Sequence, residues 1–126
     1  MANILYVTNS GAFGGMERHV LDLIKTQNQG INIFVVCPEG PIVEFYKNSG
    51  AVVINKSISS EIDISYILFL SKVIKENQIS ITHSHEVKAV VNTLIASFIC
   101  RVKKRITHTH TPISTWNIPW YKRALN

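Results

Sequence analysis

Residues 7–18 read Val7-Thr8-Asn9-Ser10-Gly11-Ala12-Phe13-Gly14-Gly15-Met16-Glu17-Arg18. They continue the apolar run Ile4 to Val7, and a helical pattern begins directly after Gly15. A strand, a glycine-containing turn and a helix are therefore predicted in succession. Free backbone N–H groups and the positive end of the helix dipole meet above such a turn, where glycine lets an anion approach closely. The segment favours either a purely structural strand-to-helix turn or an anion site.

Composition places the chain among globular domains. It has 126 residues, of which 46% are hydrophobic and 17% are charged, so it can bury one core. The net charge of +5 suits an anionic ligand, a nucleic acid or an anionic membrane surface, without choosing among them. Cys37 and Cys100 are predicted to be small core residues. Because no apolar stretch approaches the ~18 residues of a membrane span, we expect a cytoplasmic chain with peripheral membrane contact at most.

Apolar, β-rich runs alternate with helical patterns along the chain. The predicted strands are 3–8, 32–37, 51–55, 79–83 and 105–110, and the predicted helices are 15–29, 41–49, 60–77 and 86–100. Helix 60–77 is predicted to start with a capping box at Ser60-Glu61-Ile62-Asp63. Phe45, Tyr46 and Phe98 are predicted to pack inward. The alternation predicts a Rossmann-like, doubly wound α/β fold, whose parallel sheet binds ligands beyond the carboxyl ends of its strands.

Four of the five histidines fall at the carboxyl ends of two predicted strands, the edge that also carries the glycine turn. They are His83, His85, His108 and His110. Alternation along a strand puts the members of each pair on one side of the sheet. Such imidazoles can act as a general base, donate a hydrogen bond to a sugar hydroxyl or phosphate, or bind zinc. Only Glu86 accompanies them and no cysteine is near, so no metal is predicted. The fifth, His19, is predicted to be a surface residue.

Several ligand-binding classes are disfavoured by the residues of the turn. It matches neither G-x-G-x-x-G nor a P-loop, which argues against a nicotinamide dehydrogenase and a P-loop phosphotransferase. Thr8-Asn9-Ser10 supplies no carboxylate for a receiver domain. The chain also lacks the aromatic-rich basic sheet face of single-strand binders, so no nucleic-acid partner is expected.

Three segments resemble, in the same order, motifs of retaining family 4 glycosyltransferases of GT-B architecture. Ile4-Leu5-Tyr6-Val7 with Gly14-Gly15-Met16-Glu17-Arg18 resembles the opening strand and GG-x-E loop. Ile81-Thr82-His83-Ser84-His85 resembles the V-H-x-H strand. Arg105-Ile106-Thr107-His108-Thr109-His110-Thr111 resembles the T-x-H-G strand, with Thr111 in place of glycine. The resemblance covers about the first 110 residues.

The resemblance implies an active site in the cleft between two Rossmann-like domains, the first binding the acceptor and the second most of the nucleotide-sugar donor. Gly14 and Gly15 would lie against the donor diphosphate. His110 would be the catalytic residue, which binds the transferred sugar or stabilises charge in the transition state. Contacts to acceptor or sugar would come from His83, His85 and His108. The acceptor would be a glycan or a lipid-linked molecule, and no cofactor or metal is implied.

Residues 1–126 would then be a partial N-terminal domain, truncated before the donor-binding domain, and the chain alone is expected to be inactive. Basic residues between Arg101 and Arg105, with Trp116 and Trp120, fit either a surface for an anionic or lipid-linked acceptor or a solvated charge cluster with buried tryptophans. Two other classes stay open. They are a non-catalytic α/β module that binds a nucleotide or anion, and part of a nucleotide-sugar epimerase.

Overall fold

The computed structural model describes residues 2–26 and 30–108. Within these ranges strands and helices alternate. The strands are β1 (Ala2–Val7), β2 (Ile31–Cys37), β3 (Val52–Asn55), β4 (Ile81–His85) and β5 (Lys104–His108), and the helices are α1 (Gly15–Thr26), α2 (Ile42–Asn48), α3 (Ile64–Glu76) and α4 (Val87–Ile99). The strands form one parallel sheet in the order β3-β2-β1-β4-β5. None of the described helices is long and apolar enough to cross a membrane.

The sheet is covered on both faces, because β1 at its centre buries both rows of side chains. Leu5 and Val7 pack into a core with α3 and α4. Ile4 and Tyr6 face the opposite way, into a second core with α1 and α2. Cys37 is buried in this second core, and Cys100 packs against the first, as predicted. The predicted doubly wound α/β architecture is thus confirmed.

The strand order places a topological switch point between β1 and β4. Chain continuity leads from β1 to β2 and β3 on one side, whereas β4 and β5 lie on the other. The connections that leave β1 and β4 therefore diverge to opposite faces of the sheet. Open parallel sheets bind their ligands in the crevice that this divergence creates, beyond the carboxyl ends of the strands. The glycine turn follows β1, and His83 and His85 lie on β4, so both predicted groups meet here.

The predicted position of β4 was wrong by two residues. The strand runs from Ile81 to His85 instead of 79–83, so His85 lies within the strand rather than after it. Ile79 suggested an earlier start because it is apolar and buried. Its amide instead donates to the Ile74 carbonyl (3.0 Å), which closes the end of α3.

The predicted capping box was also wrong. The N-cap of α3 is Asp63, whose carboxylate accepts hydrogen bonds from the Tyr66 amide (3.1 Å) and from both the amide (3.0 Å) and the hydroxyl (2.8 Å) of Ser59. These donors, those of Ser59 first, hold the pKa of Asp63 well below its usual range. The cap therefore lies three residues later than the sequence pattern indicated.

Two predicted inward-facing aromatic residues face outward. Phe45 on α2 is 46% exposed and Phe98 on α4 is 74% exposed, whereas Tyr46 is buried as predicted. Helix α4 is apolar nearly all round, so its periodicity does not identify its inner face. That face carries small and polar residues: Ala89, Val90, Asn92, Thr93, Ala96 and Ser97.

Candidate functional site

The turn between β1 and α1 is fixed by the loops beside it. The Asn9 side-chain oxygen accepts a hydrogen bond from the Ile58 amide (2.9 Å), in the loop after β3. The Gly11 carbonyl accepts one from the Ile42 amide (3.2 Å), at the start of α2. The turn is therefore attached to both neighbouring connections at this edge of the sheet.

Gly11 and Gly40 allow two backbones to touch without side chains between them. A Cβ atom on Gly11 would lie 2.5 Å from the carbonyl oxygens of both Pro38 and Glu39. A Cβ atom on Gly40 would overlap the backbone of Gly11. Since real Cβ atoms do not approach backbone this closely, only glycine fits at either position. The contact sets the position of the turn relative to α2.

The first turn of α1 already holds a carboxylate. Gly14 precedes the helix, and the Arg18 amide donates to its carbonyl (3.0 Å). Glu17 is the third helical residue, and its Oε1 atom accepts a hydrogen bond from the Gly14 amide (3.1 Å). This is the acidic half of a capping box, and the Glu17 side chain is buried. A phosphate at Gly14 would have to displace this carboxylate.

Gly15 is the more open of the two predicted phosphate-binding glycines. A Cβ atom placed on it would meet nothing within 4 Å. As the first residue of α1, its amide has no intrahelical acceptor and points out of the helix start. The assignment of Gly14 and Gly15 to the donor diphosphate stays a prediction.

The predicted histidine pair on β4 forms a stack of rings beneath α1. The rings of His83 and His85 are 4.5 Å apart, and that of His83 is 5.2 Å from Tyr6 on β1. His19 on α1 approaches His85 from the other side, with ring centroids 6.1 Å apart. The prediction that His19 lies at the surface was wrong, because it is half-buried against this stack.

The stack determines which imidazoles a ligand can reach. His85 is fully buried and forms part of the wall beneath the crevice, whereas His83 is half-buried. The backbone of His108 pairs with that of His85 in register, and His110 lies outside the described residues. Their roles toward sugar or acceptor stay predictions. Within the described residues, no group of three or more His, Cys, Asp or Glu side chains is arranged to hold a metal ion.

Glu86, the carboxylate that accompanies the histidines in the sequence, has a strained backbone that was not predicted. It joins β4 directly to α4 with φ 63° and ψ 161°, a combination that is essentially restricted to glycine. Burial raises the pKa of its carboxyl group, and the nearby Glu17 carboxylate adds to the effect, while Lys88 opposes it. A strained, partly desolvated carboxyl group at a switch point is a marker of a functional site.

Sheet and site together define the class of protein: a Rossmann-like α/β domain of GT-B type with a glycine turn beside its switch point. The chain belongs to Glycosyltransferase Family 4, whose model matches residues 13–126. The family predicted from the three motifs is thereby confirmed.

Solved structures share this fold at low sequence identity. A glycosyltransferase from Rickettsia africae ESF-5 matches with a TM-score of 0.72 and 18% identity, over 84% of this chain and 29% of its own. Anabaena Alr3699/HepE in complex with UDP matches with a TM-score of 0.73 and 20% identity, over 98% of this chain and 33% of its own. The same protein with UDP and glucose gives a TM-score of 0.64 and 21% identity, over 86% and 29% of the respective chains.

The chain thus spans about a third of the length of these structures. A comparison with curated protein sequences gives no match.

Proposed function

We propose that the complete protein transfers a sugar from a nucleotide-sugar donor to a glycan or lipid-linked acceptor, with retention of configuration at the anomeric carbon. The bond between that carbon and the donor phosphate oxygen breaks, and the nucleoside diphosphate leaves with the electron pair. An acceptor hydroxyl oxygen forms the new bond to the same carbon, and its proton passes to the departing phosphate. The reaction requires no redox partner.

One observation carries the proposal: in a member of this glycosyltransferase family, the glycine turn and the β4 histidines lie on either side of the switch point. An anion at this position would meet the N-terminus of α1, which begins at Gly15, and a helix N-terminus favours a diphosphate. Anabaena HepE has been solved with UDP and with UDP and glucose, so UDP-sugars are the first donors to test.

The predicted site residues keep their proposed roles. Gly14 and Gly15 bind the donor diphosphate, which requires the Glu17 carboxylate to release the Gly14 amide. His110 binds the transferred sugar or stabilises charge on it, and His83 with His108 contacts acceptor or sugar. The burial of His85 instead suits a supporting role beneath them. No metal or other cofactor is proposed, and transfer takes place in the cytoplasm, at the inner membrane face when the acceptor is lipid-linked.

The test uses the complete protein as its gene encodes it. UDP binding is measured by calorimetry, and UDP release is followed with UDP-glucose, UDP-galactose and UDP-N-acetylglucosamine over a panel of saccharide acceptors. NMR of the product reports the anomeric configuration. We expect UDP binding and transfer with retention. Failure to bind any nucleotide, with no transfer from any nucleotide sugar, would contradict the proposal, and inverted products would remove its stereochemical part.

The 126-residue chain alone is predicted to transfer no sugar from any of these donors, because most donor contacts are proposed to come from a second domain. The complete protein serves as the positive control in the same assay. Measurable transfer by residues 1–126 alone would show that this segment carries a whole active site.

A further inference from the structure

Two exposed aromatic rings lie side by side at the mouth of the glycine turn. Phe13 in the turn and Phe45 on α2 are 43% and 46% exposed. Their ring centroids are 4.8 Å apart with an interplanar angle of 67°, an edge-to-face pair. The guanidinium carbon of Arg18 lies 5.6 Å from the centroid of the Phe13 ring. We call these three side chains the aromatic platform.

The backbone segments that carry the platform are fixed to one another. Phe13 follows the Gly11 contact with the α2 loop, and the Gly11 carbonyl accepts the hydrogen bond from Ile42 at the start of α2. Arg18 is held in the first turns of α1. A fixed backbone and the contact between the two rings reduce the conformational entropy that is lost when a ligand packs on them.

We propose that the aromatic platform is an acceptor subsite, which binds a pyranose ring carrying a phosphate or carboxylate group. One face of such a ring presents C–H groups that pack on an aromatic ring, while a planar guanidinium binds the acidic group through two hydrogen bonds. Arg18 has no carboxylate partner among the described residues, so its charge is available. The inference rests on the proposed glycosyl transfer and narrows its acceptor to acidic or phosphorylated sugars.

The size of the platform favours a sugar over a protein partner. A whole Phe side chain has about 200 Å² of surface, so the exposed parts of the two rings offer roughly 200 Å² together. A stable protein–protein interface needs about 800 Å² on each partner. The exposed aromatic surface is therefore far too small for a second copy of the chain, but sufficient for one sugar ring.

The charges around Phe45 argue against an anionic membrane as the occupant. Glu39 precedes α2 and Glu44 is the neighbour of Phe45, and both are exposed. Both also line an open groove of about 290 Å³ with Val43 and Lys47. A bilayer would bring many negative charges against these carboxylates, whereas a single anionic group can pair with Arg18 alone.

The experiment measures binding of hexose 1-phosphates to the complete protein by saturation-transfer NMR, with UDP present at saturation to fill the donor site. Glucose, galactose and N-acetylglucosamine 1-phosphates are compared with the corresponding methyl glycosides. Phe13→Ala and Phe45→Ala should each weaken binding of both kinds of probe by about three- to tenfold. Arg18→Gln should abolish the preference for the phosphorylated probes while the methyl glycosides bind as before.

Phe98→Ala and Lys47→Gln are the matched controls, since Phe98 is more exposed than either platform ring and Lys47 is an exposed cation on the same helix as Phe45. Both should bind like the wild type, and thermal midpoints should show all variants folded. The inference is overturned when UDP binds but no probe does, or when both Phe variants keep wild-type affinity. Loss of UDP binding by the wild type would instead count against the proposed function.

Discussion

The two strand-to-helix connections that flank the switch point differ in length, in helix capping and in backbone strain. Between β1 and α1 the chain uses seven residues, with glycines and a buried carboxylate that caps the helix start. Between β4 and α4 it uses one residue, Glu86, in a backbone conformation that suits glycine, and this side chain makes no capping hydrogen bond. The first connection is relaxed and the second is strained.

The difference separates residues that serve the fold from residues that serve a ligand. Gly11 and Glu17 satisfy backbone groups and permit close packing, so their substitution should cost stability. Glu86 does neither, and a conformation of this kind costs of order 1–3 kcal/mol. The strain is kept at the switch point, at a residue whose carboxyl group also has a raised pKa.

The largest effect is expected for Gly11→Ala. The new methyl group would meet two backbone carbonyl oxygens at 2.5 Å, and neither loop can move without breaking the hydrogen bond between Ile42 and Gly11. We expect a loss of about 3 kcal/mol in the free energy of unfolding, measured by urea denaturation. Gly15→Ala is the control, because space around Gly15 is open and alanine favours a helix. Equal stability of the two variants would disprove the close contact.

Glu17→Ala should cost about 1.5 kcal/mol, since it leaves the Gly14 amide without its acceptor and removes a buried side chain. Glu17→Gln keeps an oxygen acceptor and should recover more than half of the loss. The same denaturation measurement applies to both variants. If Glu17→Ala unfolds at the wild-type urea concentration, the carboxylate does not cap α1.

Glu86→Gly should do the reverse and stabilise the protein by about 1 kcal/mol, because relief of backbone strain exceeds the extra chain entropy of glycine. Sugar transfer by the complete protein should fall at the same time. Gln78→Gly is the matched control: Gln78 also has a positive φ of 52°, but it precedes β4 at the opposite edge of the sheet. It should gain similar stability and leave transfer unchanged. If Glu86→Gly were less stable than the wild type, the backbone at Glu86 would not be strained.

The last prediction concerns Asp63 and the decline of stability in acid. Its pKa is depressed in the folded protein, so its stabilisation is complete above the unfolded value of about 3.9 and is lost as the pH falls toward the folded value. Stability of the wild type should therefore decline below about pH 4, and Asp63→Asn should flatten that decline. Unfolding midpoints of both proteins, recorded between pH 2 and pH 7, would measure this decline. If the stabilities of the wild type and Asp63→Asn declined with pH in the same way, the Asp63 carboxylate would not be the group responsible.

Features that follow from local residue preferences were predicted from the sequence, whereas the strained backbone was not. Strand alternation and the glycines were sufficient for the fold class and the turn, because both follow from local preference. The orientation of Phe98 was missed since α4 is apolar on nearly every face, and the strain at Glu86 was missed since no glycine marks it. The histidine stack depended on the register between β1 and β4, which places Tyr6 beside His83. A single sequence does not encode that register visibly.

The central position of β1 also has a consequence during synthesis. Ile4 pairs with Ile81, so β1 leaves the ribosome long before β4 and cannot complete one of its two ladders until β4 has been made. At 5–20 residues per second this takes roughly 4 to 15 seconds. Throughout that interval β1 presents an unpaired apolar edge to the cell, although it becomes one of the most sheltered strands of the finished sheet. Among the five described strands, β1 thus depends longest on protection from neighbouring chains.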